Sequence, residues 1–126
     1  MAILIVDDST TMRRIVKRSV DEMKQEALEA PDGMQALKII EEKPEAIQLV
    51  ILDWNMPGMT GLEVLKTIKG NPRYKDITVM MLTSEADQNC VVDALKAGAQ
   101  NYLTKPFDAK MLMLKIQESL TLAAKA

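Results

Sequence analysis

Asp7, Asp8 and Asp53 are the residues of this chain best placed to do chemistry. Asp7 and Asp8 leave the apolar run Ile3-Leu4-Ile5-Val6. Asp53 leaves the run Leu49-Val50-Ile51-Leu52, just before Trp54-Asn55-Met56-Pro57-Gly58. Both runs read as buried strands. If those strands are parallel neighbours, three carboxylates meet at one edge of one sheet, where they repel one another unless a proton or a cation intervenes. Oxygen donors with no His or Cys favour a hard ion. Mg2+ keeping several waters fits best, with Mn2+ as an acceptable substitute. A carboxylate in such a place can attack phosphorus to give an aspartyl-phosphate. The transition state spreads charge over equatorial oxygens, which a metal, a hydroxyl and an ammonium group can stabilise. Thr83-Ser84, after the run over 77–82, supplies hydroxyls, and Lys105, after the short run over 101–104, supplies the ammonium. Asp53 is the expected nucleophile because it sits centrally. Asp7 and Asp8 are expected to hold the metal, Thr83 to bind a phosphoryl oxygen, and Lys105 to pair with the charge.

Each of these residues alone has a plainer reading. Asp8 can cap a helix, 53–58 can be a simple turn, Thr83-Ser84 can cap the helix that follows, and Lys105-Pro106 can be an ordinary loop. What favours a phosphoryl site is their joint placement. In an open parallel sheet, ligands bind beyond the carboxyl ends of the strands, and right-handed crossovers bring those ends to one edge.

The elements that must do this positioning alternate along the chain. Strands are expected over 3–6, 27–30, 49–52, 77–82 and 101–104, the second being weak. A helix is expected over about 11–24, with Met12, Ile15, Val16, Val20 and Met23 as its inner stripe and Asp8, Ser9 and Thr10 as cap candidates. Met34, Leu37 and Ile40 mark a second helix, stopped by Pro44. Leu62, Leu65 and Ile68 mark a third, ending near Gly70. Val91, Val92 and Leu95 mark a fourth, closed by Gly98. Leu112, Met113, Ile116 and Leu120 mark the last. Strands that read as continuous apolar runs are covered by helices on both faces. The fold class is therefore α/β: one doubly wound domain over 1–126 with a five-stranded parallel sheet and five helices. The ten methionines are read as core filling.

Composition narrows the function. The chain has 126 residues, 48% apolar, with net charge −2, which suits one domain and offers no basic surface for nucleic acid or membrane. No apolar run is long enough to span a bilayer, and no basic segment precedes the first one, so a cytoplasmic protein is expected. The single cysteine, Cys90, fits a reducing compartment and reads as packing. There is no histidine. Imidazole acid–base catalysis and His-bound zinc are excluded, and any phosphohistidine must belong to a partner.

On the residues Asp7-Asp8, Asp53, Thr83-Ser84 and Lys105-Pro106, with their spacing, the chain resembles the receiver domains of two-component response regulators over its whole length. Within that family it is most similar to chemotaxis regulators of the CheY type. The residues that carry this are Thr11-Met12-Arg13-Arg14-Ile15-Val16, Asp53-Trp54-Asn55-Met56-Pro57, Ala97-Gly98-Ala99 and Tyr102 with Lys105-Pro106-Phe107. The resemblance implies the strand order 2-1-3-4-5 and a cis Lys105–Pro106 bond. It implies Mg2+ on Asp7, Asp8, Asp53 and the backbone carbonyl of Asn55, with Asn55 and Glu85 tuning hydrolysis. It implies phosphoryl transfer to Asp53 from the phosphohistidine of a sensor histidine kinase, CheA-like in the chemotaxis case. Thr83 and Tyr102 would form the switch. Ala99, Tyr102, Phe107 and Lys115 would lie on a surface of helix 4, strand 5 and helix 5 that engages a target such as a flagellar motor switch protein, with a phosphatase as a further partner. The chain ends soon after the fifth helix, so a monomer with no output domain is expected, one that is not a turnover enzyme. Pro31, Asp87 and Gln88 depart from the expected pattern.

Rivals stay open at this point. One is a standalone receiver in a relay unrelated to chemotaxis. A Mg2+-dependent aspartyl-phosphate phosphatase of the haloacid-dehalogenase type needs a second aspartate two residues past the nucleophile, where this chain has Asn55. A flavodoxin-like carrier would need a phosphate-friendly first loop, which Asp7 and Asp8 oppose. A pseudo-receiver that only binds partners would have no need of the acid, hydroxyl and lysine set.

Overall fold

The computed structural model describes residues 1–84 and 88–124. Twelve elements run in the order β1 (Ala2–Val6), α1 (Thr10–Glu22), β2 (Glu26–Ala30), α2 (Gly33–Glu42), a 3-10 turn (Pro44–Ala46), β3 (Ile47–Asp53), α3 (Gly61–Gly70), a second 3-10 turn (Pro72–Tyr74), β4 (Thr78–Ser84), α4 (Gln88–Lys96), β5 (Asn101–Lys105) and α5 (Ala109–Ala124). The strands form one sheet in the order β2-β1-β3-β4-β5, and every pairing is parallel. The expected class and strand order hold.

The side-chain period of a strand explains the continuous apolar runs. Leu4, Val6, Val50, Leu52, Val79 and Met81 point to one face, where Ala36 and Ile40 of α2, Val64, Leu65 and Ile68 of α3, and Ala94 of α4 cover them. Ile3, Ile5, Leu49, Ile51, Met80 and Leu82 point to the other, under Val16 and Val20 of α1 and Leu112 and Ile116 of α5. Burying one such aliphatic side chain contributes about 1.5–3 kcal/mol, so β1, β3 and β4 anchor the sheet. The edge strand β2 is only partly covered.

Local signals set the helix starts. Ser9 caps α1, its hydroxyl accepting from the amide of Met12. Thr60 and Glu63 form a reciprocal capping box at α3, which fixes the end of the loop that leaves Asp53.

Several expectations on helix faces fail. Ile15 and Met34 fit the apolar stripes of α1 and α2 but are 45% and 73% exposed. Ile15 lines an open groove beside Ala109 of α5, Met34 lines another beside Met59, and Ser19 takes an inner place on α1 instead. Met1 and Met111 are exposed too, so core filling holds for Met56, Met80 and Met81 but not for all ten methionines. Helix α1 ends at Glu22 rather than Lys24. Lys24 adopts a left-handed backbone, φ 60°, and its amide and that of Gln25 bond back to the carbonyls of Asp21 and Val20. That is a Schellman closure with lysine where glycine is usual.

Candidate functional site

The carboxyl edge of the sheet brings the acidic residues together because β1 and β3 are neighbours in register, Val6 opposite Leu52. Asp7 follows β1 directly. Its amide donates to the carbonyl of Ala30 at 3.2 Å, and its Oδ1 accepts from the amide of Ser9 at 2.8 Å. Asp8 is exposed, and because Ser9 supplies the helix cap, the Asp8 carboxylate is not consumed in capping. Asp53 is the last residue of β3 and is 4% exposed. The amide of Trp54 bonds the carbonyl of Leu82, extending the β3–β4 ladder past the carboxylate. Carboxylate oxygens of Asp7, Asp8 and Asp53 lie within 4.8 Å of one another.

Lys105 reaches this group from β5. Its Nζ donates to Asp53 Oδ1 at 3.1 Å and stands 3.8 Å from Asp7 Oδ2. Thr83 arrives from β4, buried at 1%. Ser84 and Lys105 end their strands instead of following them, because the β4–β5 ladder continues to the pair Ser84–Lys105. The Lys105–Pro106 peptide bond is cis.

The electrostatics follow from burial. Loss of hydration pushes the Asp53 carboxyl above its ordinary value, against the pull of the Lys105 hydrogen bond and charge and of the Asn55 backbone amide. Burial likewise raises Asp7, opposed by the Ser9 amide and reinforced by the charge of Asp53. Among the described residues, two buried atoms here, Asp7 Oδ2 and Thr83 Oγ1, have no hydrogen-bond partner. Buried polar atoms are normally satisfied, and leaving them unpaired is costly.

One contributor was missed in sequence. Arg13 of α1 donates from Nη1 to the backbone carbonyl of Asp7 at 2.6 Å, and its Nε lies 3.4 Å from Glu29 Oε1 on β2. A basic residue one turn into the helix behind two carboxylates is the signal that could have found it. Gly61 also bears on the site. Its amide bonds the carbonyl of Trp54 at 3.1 Å, and a Cβ on it would collide with the carbonyl oxygen of Asp53.

Away from the acids, Tyr102, Phe107 and Lys115 line a groove of about 560 Å³ together with Pro106 and Met111. Lys115 Nζ lies 5.7 Å from the Tyr102 ring centre and 3.4 Å from Glu118 Oε1. Ala99, expected on the same surface, is 6% exposed and packs in the core beside Ala94, whose carbonyl its amide bonds. The turn at Gly98, φ 107°, directs it inward. Glu85 and Asp87 lie outside the described residues.

The model of the response regulator receiver domain matches residues 3–117. The chain belongs to that family. This receiver is 40% identical over 121 residues to a chemotaxis protein CheY homolog of Campylobacter jejuni, covering 95% of this chain and 92% of that one. It is 40% identical over 118 residues to chemotaxis protein CheY1 of Helicobacter pylori, covering 93% and 94%. The solved structure of Vibrio cholerae chemotaxis protein CheY4 superposes with a TM-score of 0.85 at 32% identity, covering 94% of the receiver and 98% of that chain. Family membership places the chain among signalling proteins. Among the described residues, no helix is long and apolar enough to cross a membrane.

Proposed function

We propose that this chain is a single-domain response regulator in which Asp53 accepts a phosphoryl group from a kinase phosphohistidine and the modified domain signals by binding a target. The observation that carries the reading is the pair of buried oxygens, Asp7 Oδ2 and Thr83 Oγ1, that have no hydrogen-bond partner among the described residues, beside the Lys105 ammonium that pairs with Asp53. A carboxylate oxygen without a donor suits a cation, and a hydroxyl without an acceptor suits a phosphoryl oxygen.

The donor set is all oxygen, which fits Mg2+ and also Mn2+. Asp7, Asp8, Asp53 and the backbone carbonyl of Asn55 would hold it. When bound, the ion supplies charge neutralisation for the carboxylates and for the phosphoryl oxygens. The rest falls to the chain. An Asp53 oxygen attacks phosphorus, the phosphorus–nitrogen bond of the donor breaks, and its electron pair returns to the partner's imidazole, which takes up a proton. Lys105, already bonded to Asp53, turns to the incoming charge, and the Thr83 hydroxyl donates to a phosphoryl oxygen. At the position two beyond Asp53, Asn55 cannot shuttle a proton, so the aspartyl-phosphate hydrolyses slowly through a positioned water.

Phosphorylated Asp53 carries nearly two negative charges. Thr83 moves toward them, Tyr102 turns inward behind it, and the groove lined by Tyr102, Phe107 and Lys115 changes shape for the target. Moving such an equilibrium from 1:99 to 99:1 takes about 5.5 kcal/mol of differential stabilisation. The names of the relatives support the chemotaxis assignment, which in turn calls for a CheA-like kinase, a flagellar motor switch protein as target and a phosphatase to reset the signal. Radiolabel from a phosphorylated histidine kinase should attach to the wild type and fail to attach to Asp53→Asn. An equal yield on the variant would overturn the assignment. Pull-down with and without a small acyl phosphate identifies the target, and a flagellar switch protein retained only with the donor is the expected result.

A further inference from the structure

Asp7 is gripped at both polar main-chain atoms and at one carboxylate oxygen. Its amide goes to Ala30, one side-chain oxygen takes the Ser9 amide, and its carbonyl takes the Arg13 guanidinium. The carbonyl matters most for the neighbour. The paired ladder stops at Val6, so no neighbouring strand holds the peptide between Asp7 and Asp8. The orientation of that peptide decides whether the Asp8 side chain points into the cluster or out to solvent.

We propose that Arg13 is a positioning residue for the acidic cluster: by bonding the Asp7 carbonyl it fixes the Asp7–Asp8 peptide and so holds the Asp8 carboxylate where a divalent cation needs it. The proposal rests on the metal-site reading given above.

The geometry separates this role from a casual surface pair. The Arg13 side chain is 15% exposed, and its Nη1 contact at 2.6 Å is a short charge-assisted bond. Glu29 of β2 faces the Nε edge at 3.4 Å, so the planar guanidinium spans from the edge strand to the loop after β1. A lysine can hold one of those partners but cannot present two donors in one rigid plane. Arg14, the next residue on α1, is exposed, lines grooves that none of the three aspartates lines, and serves as a charge control.

The sign of the effect discriminates. On charge alone, removing a positive group near a cation site strengthens cation binding, because like charges repel. Positioning demands the opposite. The experiment is a Mg2+ titration of the metal-free full chain, followed by Trp54 fluorescence and calorimetry, with thermal melts in chelator beside it. Arg13→Ala should bind Mg2+ about tenfold more weakly, the scale typical of lost support behind metal ligands, while Arg14→Ala binds as the wild type or slightly better. Arg13→Lys should also bind more weakly than the wild type, and it decides the matter if the alanine variant fails to fold. Unchanged or tighter binding by a folded Arg13→Ala, or wild-type binding by Arg13→Lys, overturns the brace while the metal site stands. A wild type with no saturable Mg2+ response overturns the metal site, and the brace with it.

Discussion

Thr83→Val should make the resting domain more stable and the signalling domain worse. The hydroxyl of Thr83 is buried and, among the described residues, unpaired. Such a group costs about 1–3 kcal/mol relative to a satisfied one. Valine keeps the branched shape, so rotamer and strand preferences carry over. The metal-free, unphosphorylated protein should therefore gain about 1–2 kcal/mol, read as a higher urea midpoint at unchanged slope. For a domain of this size that is a rise in melting temperature of roughly 4–8 °C. With Asp53 phosphorylated the same change removes a hydrogen bond to a charged acceptor, about 1.5–3 kcal/mol. The ratio of switched to resting domain then falls roughly ten- to hundredfold, measured as lost target affinity in the presence of a small acyl phosphate. A urea midpoint that drops would refute the reasoning, since it would mean the hydroxyl is already satisfied at rest.

The raised carboxyls of Asp7 and Asp53 give a pH signature. A folded-state value above the ordinary 3.8 means the folded chain binds protons more tightly than the unfolded one. That stability is fully present below about pH 3.8 and is lost as pH rises through the raised values. Urea midpoints in chelator should show this decline, Asp53→Asn should flatten it, and Mg2+ should reverse it near neutrality. A decline that Asp53→Asn leaves untouched would count against the cause given. Lys24→Gly should stabilise by about 0.5–1 kcal/mol, the left-handed penalty of lysine less the added freedom of unfolded glycine, with no effect on Mg2+ affinity. Gly61→Ala should cost about 2–3 kcal/mol and weaken Mg2+ binding as well, because the new methyl group presses on the Asp53 backbone; wild-type metal affinity in that variant would contradict the contact.

Much of this was legible because its causes are local. The alternation of apolar runs and helical stripes fixes a parallel sheet, and a parallel sheet gathers Asp7, Asp8, Asp53, Thr83 and Lys105 at one edge. What escaped depends on partners that sequence does not display. Ile15 obeys the helical period yet faces solvent, since exposure is set by which helix lies alongside. Ala99 was expected outside and lies inside because the Gly98 turn reverses the chain. In sequence Arg13 stands out only as part of the run Thr11-Met12-Arg13-Arg14-Ile15-Val16, and only the geometry of α1 over the end of β1 aims it at the Asp7 carbonyl.

The hydrogen bond from the Gly61 amide to the Trp54 carbonyl closes the loop over residues 55–60 into a clasp with its own fixed base. Asp53 precedes that base in the chain, at the end of β3. The exposed side chain of Asn55 can therefore be exchanged without shifting the carboxylate proposed to take the phosphoryl group, whereas Met56 in the same loop is held in the core. Timing and chemistry are thus separable parts. On the function proposed above, the lifetime of the signal can drift under selection, or be set by an engineer, while Asp53 stays put.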